Sequence, residues 1–201
     1  MSTRIGSVTV YLSSSSDVAE AYHAAAADLG AALAAEGWTL VYGGNSLGLM
    51  RVLADAARAA GGRVVGVTPQ LFVDEASADR AADELVVTPD MRSRKAALEV
   101  RGDAYIALPG GLGTFEELFE ILVGRILRYH DKPIVLLNVN GYYNPLLAMI
   151  EHGIAERFIK PRAREAYAVA DTVGEAMAYL RARSAGLGRG GHPEGEPSAA
   201  E

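Results

Sequence analysis

The chain has 201 residues, half of them hydrophobic, a formal net charge of −6 and no cysteine. That length buries a full core in one domain, and the missing thiols exclude disulfides and thiolate metal sites. An acidic chain with 7% aromatic residues also lacks the basic face and stacking platform of a nucleic-acid binder, and its apolar runs fall far short of the ~20 residues that span a bilayer.

The predicted elements alternate. Gly6 to Leu12 is a β-branched first strand, followed by the polar turn Ser13–Asp17 with Asp17 as a helix cap. Val18 to Glu36 is an alanine-rich helix stopped by Gly37, and Trp38 to Tyr42 is a second strand running into Gly43-Gly44. Leu47 to Ala60 reads as a helix, and Arg63 to Val67 as a strand broken by Pro69. The charged stretch 74–83 carries no clear pattern, and Leu85 to Val87 is a short strand. Asp90 caps a helix to Arg101, and the strand Ala104–Leu108 enters a glycine turn before a helix over Phe115–Tyr129. A strand at Pro133–Val139, a helix at Tyr143–His152, a strand at Ala166–Ala170 and a helix at Val173–Arg183 complete the pattern.

Repeated strand–helix units of this length predict an α/β fold: a Rossmann-like, doubly wound parallel sheet flanked by helices. The domain is expected over residues 1–183. Residues 184–201 are Gly-, Pro-, Ser- and Glu-rich and are expected to form a disordered tail. The absence of any leader-like segment makes the expected location cytoplasmic.

In such folds ligands sit beyond the carboxyl ends of the strands. Three polar or glycine-rich turns lie at strand exits: Ser13–Ser16, Gly43–Gly48 and Gly110–Gly113. The sharpest runs from Pro109 through Gly110, Gly111, Gly113 and Thr114 to Glu116-Glu117. Glycines that allow close backbone approach, followed by a helix start with free N–H groups, form a phosphate site. No lysine follows the glycines, which removes a Walker A loop, and the spacing is not that of a dinucleotide fingerprint. The bland alternative is a packing turn. Of the two glutamates, at most one faces the loop mouth, where a carboxylate would lie near a bound sugar. Asp90 to Lys95 puts Arg92, Arg94 and Lys95 at a helix start, against the macrodipole, which points to an anionic partner. The four histidines are scattered and form no metal set, and no serine-nucleophile elbow is present.

These motifs carry a resemblance. The chain resembles the Lonely Guy family of cytokinin-activating phosphoribohydrolases, long labelled lysine-decarboxylase-like. The family pattern PGGxGTxxE stands complete from Pro109 to Glu117, and its Arg-Lys pair stands at Arg94-Lys95. The match extends to the serine turn, Tyr42–Met50, His130–Asn138 and Gly141–Leu147. The resemblance implies hydrolysis of the N-glycosidic bond of an N6-modified adenosine 5′-monophosphate, giving free base and ribose 5-phosphate. It implies Arg94 and Glu117 as the catalytic pair. Substrate binding falls to Lys95, Gly110, Gly111, Gly113, Thr114, Gly44, Ser15 and Met91. It also implies a homodimer, and the helix after the glycine turn fits one, with Leu118, Ile121, Leu122 and Ile126 on more than one side. No metal and no cofactor are expected, and no lysine stands in a setting that argues for a pyridoxal Schiff base.

The chain departs from the family at Arg92, where a histidine is usual, and at Val123–Ile126, where the family often carries Thr-Trp…Gln. Gly124 in place of tryptophan is expected to open the substrate pocket. Glu75 is a candidate for the family's acidic substrate contact. Three readings compete with the hydrolase on AMP-type nucleotides: a nucleotide-binding or carrier protein without turnover, a structural or interaction protein in which the glycine turns only pack, and a phosphoribohydrolase for another purine nucleotide.

Overall fold

Strand-forming and helix-forming stretches alternate through the chain, and the computed structural model, which describes residues 4–186, resolves them into one parallel sheet with helices on both faces. The strands are β1 (Ser7–Tyr11), β2 (Thr39–Tyr42), β3 (Val64–Pro69), β4 (Glu84–Thr88), β5 (Ala104–Ala107), β6 (Ile134–Leu137) and β7 (Ala168–Ala170). The helices are α1 (Glu20–Ala35), α2 (Gly48–Ala59), α3 (Gln70–Asp74), α4 (Met91–Arg101), α5 (Leu112–Ile126), α6 (Asn144–Ala155) and α7 (Val173–Gly186). Strand order is β4-β3-β2-β1-β5-β6-β7, so the expected doubly wound fold is present. β1 lies between β2 and β5, with Val8 opposite both Leu40 and Ala104. The order reverses there, and a crevice opens beyond the ends of β1 and β5.

Alternation along the strands splits the core in two. Val8 and Val10 face α1, α2 and α7, packing with Leu29, Leu33, Leu53 and Leu180. Tyr105, Ala107, Ile134 and Leu136 face the opposite layer, with Leu98 of α4 and Leu118, Ile121 and Leu122 of α5. Each fully buried leucine contributes roughly 1.5–3 kcal/mol. The apolar residues expected to reach a partner, Leu118, Ile121 and Leu122, are therefore consumed by the chain's own sheet. The outward face of α5 carries a different stripe, Phe119 and Val123 with Leu127 at its cap, each about half exposed.

Several boundaries differ from expectation. Asp17 caps nothing: α1 begins at Glu20 after Ala19, because the chain first carries Ser13 and Ser14 past the crevice. Pro69 does not break β3 but ends it, paired with Thr88, a place where the missing N–H is tolerated. The segment without a clear pattern, 74–83, follows α3, sharing only Asp74 with it, and holds an isolated bridge from Ala78 to Asn45 before the turn into β4. Helix α5 starts at Leu112, three residues before the expected Phe115. At the other end, α7 continues through Gly186, with Ser184 Oγ accepting from the Ile5 amide at 3.2 Å. The rest of the expected tail, 187–201, lies outside the described residues. Among the described residues, no helix is long and apolar enough to cross a membrane.

Candidate active site

Asp90 caps α4, accepting from the Ser93 amide at 2.8 Å. That start sets the helix register and turns Arg94 inward, where it is 4% exposed. Its guanidinium spends its donors in three directions: Nε to the Val67 carbonyl at 3.0 Å, Nη2 to the Gly43 carbonyl at 3.1 Å, and Nη1 to Glu117 Oε1 at 3.1 Å. Gly43 is a glycine because a Cβ there would occupy the place of the Arg94 guanidinium.

Glu117 comes from the opposite side. Gly111 is extended and caps α5, so Leu112, Gly113 and Thr114 are the first helical turn rather than a loop before it. Their N–H groups have no intrahelical acceptor. Glu117 follows one turn later, 7% exposed. Burial pushes its carboxyl up to about 7, against the opposing pull of Arg94. The pair faces a cavity of about 250 Å³. The mouth of α5 and Arg94–Glu117 form its polar side, with Ser13, Ser14 and Asn45 at the rim. Leu12, Met50, Phe72 and Met91 form an apolar wall.

Of the residues expected at the site, Arg94, Glu117, Gly111, Gly113, Thr114 and Met91 converge on this cavity. Gly110 lies just behind it, tight against Thr114. Gly44 packs beneath it, its backbone against that of Val67. Ser15 is displaced in favour of Ser13 and Ser14; its amide folds back on Ser13 Oγ at 3.0 Å. Lys95 turns away from the cavity: its ammonium bonds Glu116 at 2.8 Å and Glu120 at 3.2 Å. The anionic partners that the cationic helix start called for are thus the carboxylates of α5. Gly124 does not line the cavity; a Cβ there would stand 3.3 Å from the ring of His130. Glu75 caps the end of α3 and is exposed, and it is not a cavity residue.

Phe72 was not foreseen, because nothing local marks the segment after β3. Tertiary bonds place it. Asp79, 5% exposed, accepts from Tyr42 Oη at 2.5 Å and from Arg58 Nη1 at 2.7 Å. Its amide donates to the Gly44 carbonyl at 2.8 Å. These contacts tie the strap behind α3 to β2 and α2 and hold Phe72 over the cavity. Asn45 and Met50 were visible within the Gly43–Met50 junction but carried no assigned role.

A family model described as possible lysine decarboxylase matches residues 50–180. A cytokinin riboside 5′-monophosphate phosphoribohydrolase of Rhodococcoides fascians is 46% identical over 177 residues, covering 87% of this chain and 89% of the relative. The enzyme LOG5 of Arabidopsis thaliana, of the same description, is 41% identical over 180 residues, 90% of this chain and 79% of the relative. Among solved structures, the Moco carrier protein of Chlamydomonas reinhardtii aligns with a TM-score of 0.69 and 27% identity over 91% of this chain and 99% of that one. The complete PGGxGTxxE motif, its placement at the sheet's switch point and identities above 40% along most of the chain lead to one conclusion: the chain belongs to the Lonely Guy family, the cytokinin riboside 5′-monophosphate phosphoribohydrolases.

Proposed function

We propose that the chain hydrolyses the N-glycosidic bond of adenosine 5′-monophosphate or an N6-modified form, releasing free base and ribose 5-phosphate. The observation that carries this reading is the buried Arg94–Glu117 pair one turn into the helix whose first amides open on the cavity. The 5′-phosphate sits on the N–H groups at the start of α5 and the Thr114 hydroxyl, where the macrodipole favours negative charge. The ribose then lies against Glu117. Its carboxylate orients the attacking water and takes a proton from it as the C1′–N bond breaks, and stabilises the oxocarbenium-like charge; the base leaves with the bonding pair and takes a proton from solvent on its ring nitrogen, while Glu117 returns its own proton to water. Arg94 is held by two backbone carbonyls and acts as a fixed cation that keeps Glu117 oriented and partly ionised. The apolar wall of Leu12, Met50, Phe72 and Met91 receives the base and an apolar N6 substituent.

A decarboxylase reading fits the residues poorly. Pyridoxal phosphate needs a lysine for its Schiff base. Lys95 is engaged by Glu116 and Glu120, Lys132 donates to the Glu99 carbonyl at 2.6 Å, and Lys160 is exposed; none lines the cavity. The likeness to a carrier protein favours binding without turnover as a second reading. A carrier has no use for a buried carboxylate beside a cation, whose desolvation costs several kcal/mol per ion. Homodimerisation belongs to the same proposal: Phe119 and Val123 of α5 and Leu127, which caps its end, are 44%, 50% and 53% exposed and four residues apart, and form an apolar stripe that a second copy would cover.

The test is chromatography of free base released from a panel of purine nucleoside monophosphates. Release from AMP or N6-substituted AMP is expected. Binding without release by the wild-type protein assigns the chain to the carrier reading, and light scattering of the same sample reads the dimer.

A further inference from the structure

The segment Gly141–Asn144 (GYYN) has no part in the chemistry above, yet both of its tyrosines reach the strand exit that leads into α5. Tyr142 Oη donates to the Gly110 carbonyl at 2.5 Å. Tyr143 Oη donates to the Leu108 carbonyl at 2.6 Å. The two hydroxyls therefore grip the backbone on either side of Pro109. Their own position is fixed from behind: the Tyr143 amide donates to Asn138 Oδ1 at 2.7 Å, and Asn138 Nδ2 donates to Asn144 Oδ1 at 3.0 Å. Tyr142 also stacks on Phe115 of α5, with centroids 6.4 Å apart and planes 14° apart, and takes the edge of Tyr22 of α1 at 6.1 Å.

The two bonds act on different peptides. The Gly110–Gly111 peptide is trans, so its C=O and N–H point in opposite directions. Pulling the Gly110 carbonyl back onto Tyr142 aims the Gly111 N–H the other way, and Gly111 lines the cavity. A donor on the carbonyl also polarises the same peptide's N–H. The Leu108–Pro109 peptide has no N–H to aim, because the acceptor-side bond ends at proline.

We infer that Tyr142 is a positioning residue for phosphate binding: its hydroxyl, held against the Gly110 carbonyl, orients and strengthens the Gly111 amide as an anion donor, whereas Tyr143 serves the stability of the same turn. This rests on the reading that the start of α5 holds a phosphate, but not on turnover.

The experiment compares the wild-type protein with Tyr142→Phe and Tyr143→Phe by thermal shift, titrating ribose 5-phosphate. Tyr142→Phe unpairs the Gly110 carbonyl through a bond that is only part-buried, so it is expected to lower the unliganded melting temperature less than Tyr143→Phe does and to weaken ribose 5-phosphate binding about three- to tenfold, the share of one hydrogen bond. Tyr143 is fully buried; Tyr143→Phe is expected to lower the melting temperature by a few degrees and leave the affinity unchanged, since it strands a buried carbonyl. In turnover, Tyr142→Phe raises KM for AMP by the same factor with kcat within about twofold. Equal ribose 5-phosphate affinity in wild type and Tyr142→Phe overturns the inference. So does an equal loss in Tyr143→Phe, or a wild-type protein that ribose 5-phosphate does not stabilise. Failure of base release sinks the hydrolase reading instead and leaves the ribose 5-phosphate comparison decisive.

Discussion

Two neighbouring cations of α4, Arg94 and Lys95, pair with carboxylates of α5, and the two contacts have opposite characters. Arg94 meets Glu117 at 3.1 Å with side chains 5% and 8% exposed. Lys95 meets Glu116 at 2.8 Å and Glu120 at 3.2 Å, where the carboxylates are 61% and 45% exposed. A step of one residue turns a helix by about 100°, and that rotation carries Arg94–Glu117 into the cavity and leaves Glu116 and Glu120 open to water, over a Lys95 side chain that is itself 14% exposed. Burial raises Glu117 to about 7. The hydrogen bond that Lys95 donates to Glu116 is the main cause that holds its ammonium above its ordinary value. Like residue types at like spacing thus give one buried carboxylate with a raised pKa and one surface brace, and the difference is solvent, not chemistry.

The comparison predicts its largest effect at the buried carboxylate. Glu117→Gln keeps the shape and removes the charge; kcat for base release is expected to fall on the order of 10²–10⁴-fold, the usual weight of a general base or electrostatic stabiliser. Ribose 5-phosphate binding in a thermal-shift titration should persist, because the phosphate donors are untouched. A variant with near-normal turnover removes Glu117 from the mechanism. Arg94→Lys comes next. It retains the cation but loses the fork that reaches Val67, Gly43 and Glu117 together. Roughly a ten- to hundredfold drop in kcat/KM is expected, since a misplaced catalytic group loses about that much, and parity with wild type would reduce Arg94 to a bare charge.

The raised carboxyl sets the pH behaviour. If Glu117 is the general base proposed above, it acts ionised, and kcat/KM of the wild type is expected to climb through pH about 7 and level above it. The stability consequence has the opposite direction. The folded-state value lies above the unfolded one, so the folded protein keeps a proton that the unfolded chain has lost. Stability from this group is full below about 4.5, declines as pH rises, and is gone above about 7. Glu117→Gln does not titrate. Its melting temperature relative to wild type should therefore rise between pH 5 and pH 8 (roughly the window set by these two values), and a constant gap would mean that the carboxyl is ionised throughout.

What the sequence displayed of this site was whatever is local. The Asp90 cap, the Arg94-Lys95 pair and the PGG turn sit within a few residues of the element ends they control, so strand–turn–helix logic found them. The start of α5 was misplaced because Gly113 lowers helix propensity, although a glycine in the first turn costs little when phosphate-binding amides are needed there. Catalytic Arg94 and substrate-binding Lys95 are equally expected at the site from the motif; only the packed pair of helices reveals which faces inward. Phe72 and its Asp79 tether had no local signature, since the tether runs from the strap to β2 and α2. The outward stripe of α5 was likewise hidden, because periodicity cannot tell which apolar face its own sheet will take.

The smallest effect belongs to the exposed pair, and it tests the comparison most directly. Lys95→Gln and Glu116→Gln are each expected to leave kcat/KM within about twofold and to cost no more than about 1 kcal/mol, the range of surface ion pairs. The double variant should cost hardly more than either single, and the difference should shrink further in salt, because screening acts on charges that face solvent. The ammonium of Lys95 is nonetheless only one residue from Arg94, on a long flexible stem. If Lys95→Gln raised KM for AMP tenfold while Glu116→Gln lowered it, the lysine would be leaving its carboxylates for the substrate phosphate, with Glu116 holding it back. The two pairs would then be one machine, and the contrast between a buried working pair and an idle surface pair would fail at the residue where it is sharpest.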